Sequence, residues 1–203
     1  MNQEFEQLER LDQQGNAPEG IFLNGSISYT RPCCSPITPP DVAAMMCSAA
    51  NLDPHVKLKI CEPCAGIGGV LKKIISESDA QNHTIYFNEI DVEKKSFLRS
   101  SFASKNVFEL FPFNDDSLND LGLYDRIIMN PPFNNVTNFI DNMMRRLNPD
   151  GVLVTLFPKY FLSRLTSCKQ TILRILAQKQ VTITDIDFDC GYGVRICLIR
   201  IKK

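Results

Sequence analysis

The stretch RIIMNPPFNN, residues 126–135, is an apolar run that stops in an asparagine, two prolines and a phenylalanine. Proline fixes φ and has no N–H to donate, so this turn is stiff and rich in acceptors. The Asn130 side-chain oxygen and the Pro131 carbonyl are two of them, and the Phe133 ring follows closely. Prolines alone end many strands; an amide, a locked carbonyl and a ring in that order ask for a chemical reason. A second constellation, CEPCAGIGG at residues 61–69, lies upstream. Gly66 and Gly68 let a backbone pass close to a ligand, and a helix starting after them offers free N–H groups. Glu89 falls 21 residues after Gly68, placed to accept hydrogen bonds from ribose hydroxyls. Leu71 stands where the third glycine of a dinucleotide fingerprint would fall, which points to a nucleoside without a pyrophosphate. An ordinary βα turn contains the same residues, and taken alone they leave both readings open.

Such residues need a scaffold, and from residue 57 onward the hydrophobic pattern supplies one. KLKICE (57–62), HTIYFNE (83–89), VFELF (107–111), YDRIIMN (124–130) and GVLVTLFP (151–158) read as strands, the last starting after the turn NPDG. GVLKKIISES (69–78), VEKKSFLRSSFAS (92–104), TNFIDNMMRRL (137–147) and RLTSCKQTILRILAQK (164–179) read as helices. Phe139, Ile140, Met143, Met144 and Leu147 share one face of the third. VTITDIDFD (181–189) and VRICLIRI (194–201) are joined by CGYG, too short for a crossover helix, so this pair is antiparallel. The pattern predicts an α/β, Rossmann-like fold: a seven-stranded, mostly parallel sheet with an antiparallel C-terminal hairpin and helices on both faces. Upstream, RPCCSPITPP (31–40) is a proline-stiffened loop. Thr38 is placed to cap a helix running through DVAAMMCSAA, with Pro39 and Pro40 in its first turn. Residues 1–25 read as a polar N-terminal arm and 26–203 as one domain.

Composition narrows the setting. A hydrophobic share of 44% and a charged share of 22% over 203 residues suit a globular protein. No apolar run approaches the roughly 18 residues that span a bilayer, and the polar start lacks the plan of a signal peptide. A cytoplasmic protein with no membrane partner is expected. Cys61 and Cys64 form a C-x-x-C, but no second pair completes a four-cysteine site, and the only histidines are His55 and His83. Free thiols and no metal are expected. Net charge is −1, from 22 basic and 23 acidic residues, whereas a nucleic-acid binder usually carries a basic excess.

Taken jointly, these features resemble a known family. EPCAGIGG (62–69) resembles the [DE]-P-x-x-G-x-G motif of class I S-adenosylmethionine-dependent methyltransferases that act on amino nitrogens. NPPF (130–133) resembles their catalytic [DNS]-P-P-[YF] tetrapeptide, TPPDVAAMM (38–46) the segment preceding the glycine motif, and FDCGYGVRICLIRIKK (188–203) their last strand pair. The likeness covers roughly residues 25–203, with four elements in the family's order.

The resemblance implies S-adenosylmethionine as cofactor and methyl transfer to an amine held by Asn130, Pro131, Pro132 and Phe133. A conjugated amine is a poor nucleophile. Two acceptors, the Asn130 amide oxygen and the Pro131 carbonyl, each take one N–H and turn the nitrogen lone pair toward the methyl group. Phe133 stacks on a base swung out of its helix. By the same likeness the cofactor lies against Glu62, Pro63, Cys64, Ala65, Gly66 and Gly68, with Glu89 and Ile90 at its nucleoside. Thr38 and Tyr29 pack over its methionine end, and Asp116 or Asp115 accepts from its adenine. Phe188 and Tyr192 are candidates for closing the base pocket. The N-P-P-F type favours N6 of adenine in DNA. RNA adenine and the side-chain amide of protein glutamine satisfy the same geometry. No separate target-recognition domain is read after the catalytic one, so recognition is expected to be slight or supplied by a partner subunit. A non-catalytic S-adenosylmethionine-binding subunit and a nicotinamide oxidoreductase remain as alternatives. Lys94, Lys95, Arg99, Arg145, Arg146, Lys159 and Arg164 are candidates for phosphate contacts, or else solvated helix faces.

Overall fold

The computed structural model describes residues 21–23, 26–28, 37–77, 83–103, 106–110, 122–133, 136–159, 180–189 and 195–203. A short hairpin pairs β1 (Ile21–Leu23) with β2 (Ser26–Ser28). It straddles the expected boundary between arm and domain at residue 25. Next come α1 (Pro40–Ala50), β3 (Lys59–Glu62), α2 (Gly69–Glu77), β4 (Thr84–Phe87), α3 (Val92–Ser101) and β5 (Val107–Glu109). β6 (Tyr124–Met129), α4 (Val136–Arg145), β7 (Leu147–Pro158), β8 (Gln180–Asp189) and β9 (Arg195–Lys202) complete the described chain. The sequence-predicted helix at 164–179 lies outside the described residues.

Seven strands form one sheet in the order β5-β4-β3-β6-β7-β9-β8. β3, β4, β5, β6 and β7 run parallel, while β9 is antiparallel to both β7 and β8. Successive side chains of a strand face opposite sides, and the two cores follow that alternation. Ile60, Ile128, Val152, Val154 and Leu198 face one side, where Val42 and Met46 of α1, Leu71 and Ile74 of α2 and Leu98 of α3 cover them. Cys61, Ile127, Met129, Leu153 and Ile199 face the other, against Val136, Ile140 and Met143 of α4.

Two local expectations are corrected. Thr38 does not cap α1: Pro39 holds that position, Pro40 begins the helix, and no side chain bonds to its end. The Thr38 hydroxyl is engaged elsewhere, as described below. β7 begins at Leu147, before the turn assigned to NPDG, because Leu147 already pairs with Tyr124. The turn persists as an irregularity within the strand, where Asp150 adopts a φ of 63°. At its far end α1 is fastened to the sheet by two arginines. Arg126 Nε donates to the Ala50 carbonyl at 2.6 Å and Arg200 Nε to the Ala49 carbonyl at 2.9 Å. Cations suit a helix C-terminus.

Candidate active site

Glu62 ends β3, and Asn130 follows Met129, the last residue of β6. These neighbouring strands lie where the chain's crossovers part toward opposite edges of the sheet, and in such sheets a crevice opens beyond the strand C-termini. A cleft of about 330 Å³, part of it open to solvent, lies there; its lining includes Ile37, Thr38, Glu62, Cys64, Gly66 and Asn130.

The glycine turn forms one wall. Gly66 has a φ of +57°, and a Cβ placed on it would meet nothing within 4 Å. Its N–H donates to Glu89 Oε2 at 2.6 Å, while Glu89 Oε1 accepts from the Asp91 N–H at 2.9 Å. Glu89 therefore ties the turn after β3 to the turn after β4. Each of its oxygens keeps a second acceptor site, so this brace and the expected ribose contact are compatible. The Ala65 N–H reaches the Asn88 carbonyl at 2.9 Å, and Asn88 Nδ2 returns to the Pro63 carbonyl at 3.3 Å. Gly68 answers to packing within the protein. At φ +88° its Cβ would lie 2.6 Å from a Phe102 ring carbon and 2.8 Å from Leu98 Cδ2.

Glu62 is the electrostatic anomaly. It is 1% exposed, lines the cleft, and its Oε2 has no hydrogen-bond partner among the described residues. Burial, and then the neighbouring Glu89 carboxylate, push its carboxyl well above the usual carboxylate range. A buried carboxylate oxygen facing a cleft is a site for a donor or a cation. Cys64, beside it, is also raised, first by burial and then by Glu89 and Glu62. Its thiol stays protonated and is no nucleophile. Cys61 is a free thiol in the core on the opposite face of the sheet.

Asn130 is 4% exposed and donates through Nδ2 to Thr38 Oγ1 at 3.1 Å; Thr38 is itself buried. Sequence reasoning missed this link, because 92 residues separate the two. Pro131 is buried beside Asn130, and Pro132 is half-buried. Phe133 departs from expectation: its ring is 4% exposed and packs in the core with Val42 and Ile128. A phenylalanine ring gains about 2 kcal/mol by leaving water, which accounts for its place in the core. Ile90, next to Glu89, is 68% exposed. Phe188 lies in β8. Tyr29, Asp115, Asp116, Tyr192 and Arg164 lie outside the described residues.

The expected phosphate contacts are largely engaged with acids. Lys95 and Arg99 meet Glu109, Arg145 meets Asp141 at 2.7 Å, and Lys159 meets Asp185 at 2.6 Å. Arg146 is buried.

No family model matches the chain, and neither does any curated protein. Solved structures do match it. An O-methyltransferase from Bacillus cereus in complex with SAH has a TM-score of 0.65 and 12% identity, over 100% of this chain and 92% of that one. The chain has the Rossmann-like fold of class I methyltransferases. Precorrin-6y C5,15-methyltransferase from Geobacter metallireducens superposes with a TM-score of 0.61 and 21% identity, over 80% of this chain and 89% of that one. The type I restriction-modification methyltransferase subunit from Streptococcus thermophilus gives a TM-score of 0.68 and 17% identity, over 83% of this chain. This chain spans 45% of that subunit's length.

Proposed function

We propose that the protein is an S-adenosylmethionine-dependent N-methyltransferase whose acceptor is a planar amine, with N6 of adenine in DNA as the favoured substrate. The observation that carries this reading is the convergence of Glu62, the Gly66 turn and Asn130 on one cleft between adjacent strand ends. The residues fit the cofactor. The buried Glu62 oxygen, without a hydrogen-bond partner among the described residues, suits its ammonium group, Gly66 leaves open space where a side chain would project, and Ile90, next to Glu89, offers an exposed apolar surface. When bound, S-adenosylmethionine supplies an electrophilic methyl group on a sulfonium.

The chain's own residues do the rest. The Asn130 amide oxygen and the Pro131 carbonyl accept one N–H each from the substrate amine. The ring of Pro132 restricts ψ at Pro131 and so keeps that carbonyl from turning away, and little reorganisation is needed during transfer. Holding the nitrogen in line with the methyl carbon supplies most of the rate by proximity. Phe133 reaches a flipped base only by leaving the core, so stacking is coupled to movement of the Asn130–Phe133 turn.

Adenine in DNA is favoured by the N-P-P-F tetrapeptide. Recognition would then come largely from a partner, in keeping with the likeness to a subunit of a restriction-modification system. The pairing of most candidate cations with carboxylates favours a second reading, transfer to the side-chain amide of a protein glutamine, which needs no grip on phosphates. Digestion of methylated products followed by mass spectrometry separates the two. N6-methyladenine supports the first, N5-methylglutamine the second, and methylated oxygen or carbon alone would refute the amine reading.

A further inference from the structure

We infer that Thr38 is a positioning residue for the methyl-transfer step, acting through the amide of Asn130. The inference rests on the reading of Asn130 as an acceptor for the substrate amine. A side-chain amide has a donor end and an acceptor end of nearly equal shape. Only the oxygen can receive an amine N–H; the NH₂ end presents its own hydrogens and repels it. Rotation by half a turn about the terminal torsion of Asn130 therefore exchanges a productive site for an unproductive one. Such terminal torsions are broad and intrinsically permissive, so a contact from a neighbour is needed to hold the amide still.

The Thr38 hydroxyl accepts an Nδ2 hydrogen at 3.1 Å; a hydroxyl can donate as well as accept, so the contact anchors the amide in place, and in the orientation described it is the NH₂ end that faces Thr38. Both residues are buried, so water does not readily replace the bond. The Thr38 backbone is closely packed. A Cβ on Gly69, at the start of α2, would lie 3.0 Å from the Thr38 carbonyl. The Pro39–Pro40 pair that follows fixes the direction of the backbone. The Pro39 carbonyl accepts the Ala43 N–H at 2.8 Å, joining the segment to α1, whose other end Arg126 and Arg200 hold to the sheet. The absence of a helix cap from Thr38 is thereby explained: its hydroxyl serves Asn130.

The test compares Thr38→Val, which keeps the shape and removes the hydroxyl, with Thr38→Ser, which restores it. Saturating S-adenosylmethionine and the methyl acceptor identified for the wild type are used. Thr38→Val is expected to lower kcat by about tenfold or more, as small misplacements in a reacting pair do. Its KM for the acceptor should change far less, and Thr38→Ser should recover most of the loss. A wild-type kcat in Thr38→Val, alongside an inactive Asn130→Ala, would overturn the inference and leave the reading of Asn130 intact. Full activity in Asn130→Ala would instead remove that reading. A second measurement judges the contact without activity. In ¹⁵N-labelled protein the Asn130 side-chain NH₂ signal, assigned by its loss in Asn130→Asp, should move in Thr38→Val and return in Thr38→Ser. A signal unmoved in Thr38→Val would contradict the contact.

Discussion

At the scale of single residues, two side chains carry opposite burdens. Glu62 is buried where its charge is unfavourable, and its carboxyl is raised by burial first and by Glu89 second. A carboxyl raised in the folded state holds its proton more tightly there than in the unfolded chain. That contribution to stability is complete below the ordinary value of 4.5 and is lost as pH rises through the folded value. Glu62→Gln is therefore expected to raise the melting temperature at neutral pH, to raise it less near pH 4, and to weaken cofactor binding throughout. Scanning calorimetry across that pH range reads the first two. Binding of an ammonium group beside Glu62 should release a proton, visible as a binding enthalpy that depends on the buffer. A binding enthalpy independent of the buffer would count against the pairing. Asn130 bears the second burden. Asn130→Ala should keep the cofactor-induced rise in melting temperature while lowering kcat by roughly 10²–10³-fold, the usual loss when one preorganised partner is removed.

Among the elements, the turn after β3 matters most, and its two glycines fail for different reasons. Gly66→Ala introduces no clash but places a side chain at φ +57°, at a cost of about 1 kcal/mol. Gly68→Ala drives a methyl group into Phe102 and Leu98, and overpacking of this kind costs about 1–3 kcal/mol in addition. Urea denaturation should rank the variants in that order, with Gly68→Ala the less stable. The reverse order would mean that Phe102 moves aside freely. The same turn shows how far element-level reading reaches. The strand, turn and helix around Gly66 and Gly68 were legible from the hydrophobic pattern, and Glu89 stands two residues past the end of β4. Its use as a brace for the Gly66 N–H was not legible, because a backbone amide leaves no mark in a spacing rule. Thr38 was misread for a related reason. Local sequence offers a threonine before Pro-Pro as a cap, while a partner 92 residues away decides its bond.

For the molecule as a whole, periodicity was sufficient for the sheet. All seven strands stand near their predicted places, with the last two antiparallel, because apolar runs bounded by turns report burial directly. The β1–β2 hairpin was missed; two three-residue strands carry too little pattern. Phe133 was placed by its motif over a substrate, and its ring packs in the core. Charge was readable as a total of −1 but not as ion pairs, which depend on the fold. Those pairs predict that the protein alone binds duplex DNA no more tightly than the non-specific range, Kd of roughly 10⁻⁴–10⁻⁶ M at physiological salt. Fluorescence anisotropy measures this, and nanomolar binding by the isolated chain would contradict it. The central claim, that Asn130 and Pro131 present an amine to a methyl group bound against Glu62, is tested most directly by tritiated-methyl transfer. Wild type and Asn130→Ala are incubated side by side with labelled S-adenosylmethionine and unmethylated DNA, RNA and whole-cell protein. The account predicts label on one acceptor class with the wild type and almost none with the variant. Equal labelling by both proteins, or none by the wild type on any acceptor while it binds the cofactor, would contradict it.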